Sequence, residues 1–336
     1  MRVVFMGTPD FAVPTLAALI ENHEVVGVVT QPDKRKGRGK AMAFTPVKEK
    51  ALEYDIPVYQ PVKVGEEEFI ETLRGLDPEV IVVAAFGQIL PESILNMPKY
   101  GCINVHASLL PKYRGAAPIQ WSIIDGEKET GVTIMYMEKG LDTGDMIDKV
   151  VVPIDAKETG ESLHDKLAAA GGPLLLEVLE KLEAGTAVRT RQNDEESCYA
   201  KMLTKDLGKI DWNKDAASIE RLIRGLNSWP SAYTAFHDKT LKIWDADVEK
   251  ENGSAQPGAV AKVTSDAIYV QTGEGLLKIN EVQIQGKKRM PVKAFLLGHK
   301  VEEGTLLGEN AKYNIKNYFV ILSYNISSRL HSLHEL

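Results

Sequence analysis

The sequence has only two cysteines among its 336 residues, Cys102 and Cys198, and their spacing matches no metal-type or redox-type pair. A disulfide-stapled fold is excluded, and so sparse a use of cysteine suits a reducing cytosol. No apolar run approaches the ~20 residues that a membrane-spanning helix needs. The opening MRVVFMGTPD lacks the apolar core of a secretory signal, so a soluble cytoplasmic protein is expected. The junction Met6-Gly7-Thr8-Pro9-Asp10-Phe11 holds one glycine, which leaves the three-glycine dinucleotide fingerprint incomplete. GxxxxGK[ST], HExxH and zinc-type Cys/His spacings are missing as well. Chemistry without a redox cofactor, ATP hydrolysis or a metal is the expectation.

What is there describes an ordinary globular protein, 44% hydrophobic and 26% charged, and long enough for two domains. The net charge of −7 argues at first against a polyanionic partner. Its distribution reverses that argument. Residues 1–204 carry 22 Lys and Arg against 31 Asp and Glu, whereas residues 205–300 carry 15 against 12. Within the acidic part, Lys34-Arg35-Lys36-Gly37-Arg38-Gly39-Lys40 packs five cations into seven positions. Such density fits a flexible phosphate clamp, with a merely solvated insertion as the alternative.

Strand and helix signals alternate through the first half. Apolar runs at 2–7, 25–30, 79–86, 102–108 and 131–137 are separated by helical stretches, which predicts an open, mostly parallel sheet with helices on both faces. Thr45 is a plausible cap for a helix from Pro46 to Tyr54. Leu163, Leu167, Leu174, Leu175, Val178, Leu179 and Leu182 supply the apolar stripe of a long helix over 161–184. Residues 185–204 lose that periodicity and read as a linker. Beyond them, a helix near 215–226 precedes closely spaced short strands, the pattern of a small barrel.

Asn104-Val105-His106 lies at a predicted strand end, where alternation puts Asn104 and His106 on one face. Ligands bind at the carboxyl ends of strands in an open parallel sheet. An amide donor beside an imidazole can stabilise an oxyanion and manage a proton, although both residues could equally satisfy nearby backbone. Leu109-Leu110-Pro111 adds an apolar wall suited to a flat ligand. The loop Leu141-Asp142-Thr143-Gly144-Asp145 offers a carboxylate to orient His106, or else is a plain turn.

These residues resemble the methionyl-tRNA formyltransferase family along roughly residues 1–309. The likeness is carried by MGTPDFAVPTL at the start, NVHASLLPKYRGAAPIQW (104–121) and MEKGLDTGDM (137–146). IDWNKDAASIERLIRGLNSWPSAY (210–233) and GKKRMPVKAFLLG (286–298) extend it. The resemblance implies a Rossmann-like formyltransferase domain over 1–189, a linker over 190–204 and an OB-like β-barrel, tRNA-binding, over 205–309. It implies a monomer that moves formyl from 10-formyltetrahydrofolate to methionine charged on initiator tRNA, with no metal. Asn104, His106 and Asp142 match the family's catalytic positions, and Ser108, Leu109, Leu110 and Pro111 its folate-binding segment. The turn Phe86–Leu90 is expected beside the pterin. Arg38, supported by Lys34, Arg35, Lys36 and Lys40, matches the insertion that approaches the tRNA acceptor end. Met202 stands where the family commonly has lysine, NSWP (227–230) replaces NPWP, and the extension 310–336 has no counterpart.

Two enzyme alternatives use the same donor. A glycinamide ribonucleotide formyltransferase leaves residues 205–309 unexplained, and an amino-sugar formyltransferase has no need of the cation-dense loop. A non-catalytic RNA-binding protein leaves Asn104, His106 and Asp142 without a purpose.

Overall fold

The computed structural model describes residues 1–36, 41–251 and 253–308 and divides into two compact units. The first comprises residues 1–122 and 127–202, and the second residues 123–126 with those from 203 onward.

In chain order, the first part runs β1 (Arg2–Gly7), α1 (Val13–Asn22), β2 (Glu24–Val29), β3 (Lys34–Lys36), β4 (Ala41–Ala43), α2 (Pro46–Leu52) and β5 (Val58–Tyr59). There follow α3 (Glu67–Gly75), β6 (Val80–Ala84), α4 (Glu92–Leu95), β7 (Cys102–His106), β8 (Arg114–Gly115) and α5 (Pro118–Ile124). It finishes with β9 (Glu129–Tyr136), β10 (Met146–Pro153), α6 (Gly160–Glu183) and β11 (Tyr199–Ala200). A seven-stranded sheet has the order β10-β9-β7-β6-β1-β2-β5. Its five strands from β7 to β5 are parallel, and β9 and β10 add antiparallel to one edge.

Strand order reverses about β1: the chain runs outward to β2 and β5 on one side, then crosses back to β6 and β7 on the other. The crevice at the carboxyl ends there is where such sheets bind ligands. One face of the sheet buries Val4, Met6, Ile81 and Val83 against Phe69, Ile70 and Leu73 of α3. The other is covered by α1 and α6. Every predicted apolar residue of the α6 stripe is buried. Thr159 and Ser162 close a reciprocal capping box at its start. Gly171 and Gly172 let α6 approach closely, since a Cβ on either would meet Val105 at 3.0 Å or Ala18 at 3.1 Å. Thr45 caps α2 as expected, accepting the Lys48 backbone N–H.

The second unit contains α7 (Ala216–Gly225), β12 (Ala232–Phe236), β13 (Lys239–Glu249), β14 (Val260–Val263), β15 (Ile268–Gln271), β16 (Leu276–Ile284), β17 (Met290–Pro291) and α8 (Val292–Leu296). Its antiparallel sheet has the order β12-β13-β16-β15-β14, with β17 beside β16. Residues 304–308 close it. Val260 donates to the Thr305 carbonyl, Leu307 to Gly258 and Gly308 to Ala235, so one segment ties both edge strands and gives the expected barrel form. The inward positions Leu241, Ile243, Val270, Leu277, Ile279 and Val282 fill one core with Trp212, Ile219 and Phe295.

Ile279 is fully buried on a central strand of that core. Ile279→Ala is expected to destabilise the second unit by about 2–5 kcal/mol, read as a lowered denaturation midpoint.

Candidate active site

The carboxyl end of β7 presents Asn104 and His106 on one face, two residues apart on a strand. Asn104 is half-buried, and among the described residues its amide makes no hydrogen bond, which leaves donor capacity for a ligand. His106 is buried, and its Nε2 lies 2.9 Å from the Tyr113 carbonyl. A carbonyl only accepts, so Nε2 is the donor and Nδ1 is the nitrogen left toward Asp142. The sheet ladder ends at His106, two residues before the predicted strand end. Thr133 Oγ1 donates to the Ser108 carbonyl at 2.7 Å and accepts from the Leu110 N–H at 3.1 Å, folding the chain back.

Asp142 comes from the loop between β9 and β10. Its Oδ2 lies 3.8 Å from His106 Nδ1, beyond hydrogen-bond length but in direct electrostatic contact. The same oxygen accepts the Gly115 N–H at 2.8 Å. Asp142 has φ 52°, a left-handed conformation that few non-glycine residues adopt. Gly144 completes the turn. A Cβ there would fall 1.8 Å from the Tyr136 carbonyl, so no other residue fits. Lys112 and the Tyr113 hydroxyl both donate to Glu127 Oε1, which anchors the loop carrying the Tyr113 carbonyl. The Lys112 ammonium, helped by that hydroxyl, holds the Glu127 carboxyl below its usual range.

The segment 108–111 is placed less openly than the sequence suggested. Ser108 is fully buried, its hydroxyl donating to the Lys112 carbonyl at 2.7 Å, and Leu110 is buried too. Leu109 and Pro111 are half-exposed and are the side chains of this stretch able to meet a ligand. In the turn after β6, Phe86 and Leu90 face the core while Ile89 is 88% exposed. The Phe86 carbonyl accepts from Thr8 Oγ1 and Gln31 Nε2, tying the ends of β6, β1 and β2 together.

The basic stretch begins as a hairpin in which β3 pairs antiparallel with β4. Lys34, Arg35 and Lys36 form β3, with Lys34 exposed, whereas Arg38 and Lys40 lie outside the described residues. A fixed base carries this hairpin. Lys48 bonds Asp33 at 2.5 Å and Gln60 at 2.9 Å, and Gln60 also donates to Asp33 at 2.8 Å. The Lys48 ammonium and then the Gln60 amide hold the Asp33 carboxyl below its ordinary range. Lys48 Nζ further lies 3.9 Å from the centre of the exposed Phe44 ring, just beyond β4.

Sequence reasoning missed the contribution of residues 189–200. Arg189 lies over the Tyr136 ring and 3.4 Å from Asp145. Thr190 and Met146 exchange backbone hydrogen bonds, and β11 pairs in parallel with β8. Gln192 is buried and donates to the carbonyls of Asp142 and Gly144, both at 2.8 Å. A single glutamine among charged residues leaves no periodic signal, so the stretch reads as a spacer. Among the described residues, no group of three or more His, Cys, Asp or Glu is arranged to hold a metal ion. No helix there is long and apolar enough to cross a membrane. A cavity of about 480 Å³ in the second unit is lined by Lys209 and Lys239 but also by Asp211 and Asp238. Its charges are matched, so it is no anion cradle.

Residues 1–179 match the Formyl transferase family, and residues 202–300 match the Formyl transferase, C-terminal domain family. A methionyl-tRNA formyltransferase of Lachnospira eligens is 56% identical over 315 residues, covering 92% of this chain and all of that protein. One of Agathobacter rectalis is 58% identical over 306 residues, covering 91% and 99%. The chain belongs to the methionyl-tRNA formyltransferase family. The fold also resembles the N-formyltransferase of Helicobacter canadensis solved with folinic acid and dTDP-3-aminofucose. That match has a TM-score of 0.61 at 19% identity and covers 83% of this chain and 99% of the other. At such identity the likeness concerns the fold alone.

The two cysteines differ in environment. Burial pushes the Cys102 thiol up to about 12, whereas Cys198 is exposed. Iodoacetamide at pH 8 is expected to label Cys198 in the native protein and Cys102 only after denaturation, read by peptide mass.

Proposed function

We propose that the protein transfers the formyl group of 10-formyltetrahydrofolate to the α-amino group of methionyl initiator tRNA, giving N-formylmethionyl-tRNA. The observation that carries this reading is the placing of Asn104 and His106 on one face of β7, with Asp142 from the loop after β9 beside His106, at the carboxyl end of a parallel sheet. Near-complete coverage of relatives of that name supports the acceptor.

In this reading the neutral methionyl amine attacks the formyl carbon and forms a C–N bond. The carbonyl electron pair moves onto oxygen, and the Asn104 amide donates to that oxyanion. His106 adds its ring beside that oxyanion, with Nδ1 turned to the Asp142 carboxylate. The intermediate collapses by breaking the bond to N10 of the folate. The proton lost by the amine passes through the His106 and Asp142 pair, and N10 leaves protonated as tetrahydrofolate. The donor would lie along Leu109, Pro111 and the turn after β6, with its formyl group toward Asn104.

The basic hairpin would hold the acceptor end of the tRNA, with Arg38 foremost. The barrel over 205–309 would add a sequence-independent grip on the backbone, since phosphate contacts position RNA without reading bases. Trp244 suits that role, with Arg289 at 5.0 Å and Lys242 at 5.6 Å from its ring. Discrimination for the initiator would rest on the unpaired or weak end of its acceptor stem.

Transfer from 10-formyltetrahydrofolate to charged initiator tRNA, with elongator methionyl-tRNA and free methionine as controls, tests this. Only the initiator is expected to be formylated. His106→Ala should lose turnover by about 10²–10³-fold, as removal of a transition-state donor does. Arg38→Ala should mainly raise the KM for tRNA. Consumption of the donor with an amino-sugar nucleotide, and none with tRNA, would move the assignment to that acceptor.

A further inference from the structure

We propose that Gln192 is a positioning residue for formyl transfer, fixing the Asp142 carboxylate against the Nδ1 edge of His106. This rests on the reading above that His106 and Asp142 act in the reaction. Gln192 is only 5% exposed and uses both ends of its amide. Nε2 donates to the Asp142 and Gly144 carbonyls, and Oε1 accepts from Arg114 Nε at 3.0 Å. Arg114 is the residue before Gly115, whose N–H holds Asp142 Oδ2. A closed circuit results: the Asp142 carbonyl to Gln192, Gln192 to Arg114, along the chain to Gly115, and back to the Asp142 side chain.

That circuit has a purpose the rest of the loop does not serve. Asp142 sits in a left-handed conformation that its own side chain does not favour strongly, so the loop needs an outside hold. Both ends of Asp142 are tied down, its carbonyl by the Gln192 side chain and its carboxylate by the Gly115 backbone N–H. Backbone bonds reinforce the tie, with Arg114 donating to the Cys198 carbonyl and Ala116 to that of Ala200. Gly115 is packed so tightly under Tyr199 that a Cβ would meet its ring at 2.4 Å. The 3.8 Å gap between Asp142 and His106 therefore depends on a side chain from the segment that follows α6, within the first unit.

The test compares full-length wild type with Gln192→Glu, which removes both donors at nearly constant shape, and Gln192→Leu. Asp142→Asn and the Gln192→Glu/Asp142→Asn double variant complete a cycle. Turnover in the Gln192 variants should fall about 10- to 100-fold, the scale of misplacing a reacting group by an ångström. KM for 10-formyltetrahydrofolate and for methionyl-tRNA should stay near wild type, and the double variant should lose no more than Asp142→Asn alone. Arg114→Lys, which lacks the Nε–H donor, should show a smaller loss of the same kind and covers the case in which Gln192 variants misfold. Unchanged turnover, a loss confined to KM, additivity with Asp142→Asn, or activity that only follows melting temperature in every variant would each overturn the proposal. If instead wild type transfers no formyl, or Asp142→Asn is fully active, the functional reading itself falls.

Discussion

The hydrogen bond from His106 Nε2 to the Tyr113 carbonyl organises the carboxyl end of β7 in the first unit. Because the acceptor is a carbonyl, one ring nitrogen is committed and the other is turned toward Asp142. A hydroxyl in its place, able to donate or to accept, would allow either tautomer. The bond also requires residues 107–113 to double back under the strand. Thr133 meets that requirement by serving both a carbonyl and an N–H of the turn, and Glu127 pins its far side through Lys112 and Tyr113. Buried Ser108 thus belongs to the scaffold of this turn, and the open positions beside it are Leu109 and Pro111.

Around that bond the structure invests mainly in backbone groups. Gly115 N–H, the Tyr113 carbonyl and the carbonyls of Asp142 and Gly144 all take part, and their positions depend on chain trace more than on side-chain identity. Gln192 and Arg114 are the side chains that knit these groups together. Such polar networks are stable inside a protein only when their members are satisfied, and here a buried glutamine has a partner for each end of its amide. The same economy appears in the basic hairpin, where Asp33, Lys48 and Gln60 bond one another below a run of cations.

Much of this was readable in advance, and particular residues show why. The stripe from Leu163 to Leu182 and the cap at Thr45 are local patterns, so α6 and α2 appear where periodicity and capping put them. The common face of Asn104 and His106 follows from strand alternation alone. Residues 190–200 were different. β8 and β11 are two residues each and exist only because they pair with each other across a long separation in sequence.

The sequence by itself determined the two-part α/β and β architecture, the buried faces of its long elements, and the strand end on which Asn104 and His106 stand. Each of these depends on spacing within a short window of chain. Tertiary structure alone decided which nitrogen of His106 is committed, that Asp142 stands 3.8 Å from the other, and that the apparent spacer closes around Asp142. Those outcomes depend on hydrogen bonds between segments brought together by folding, and such bonds leave no periodic trace in the chain that makes them.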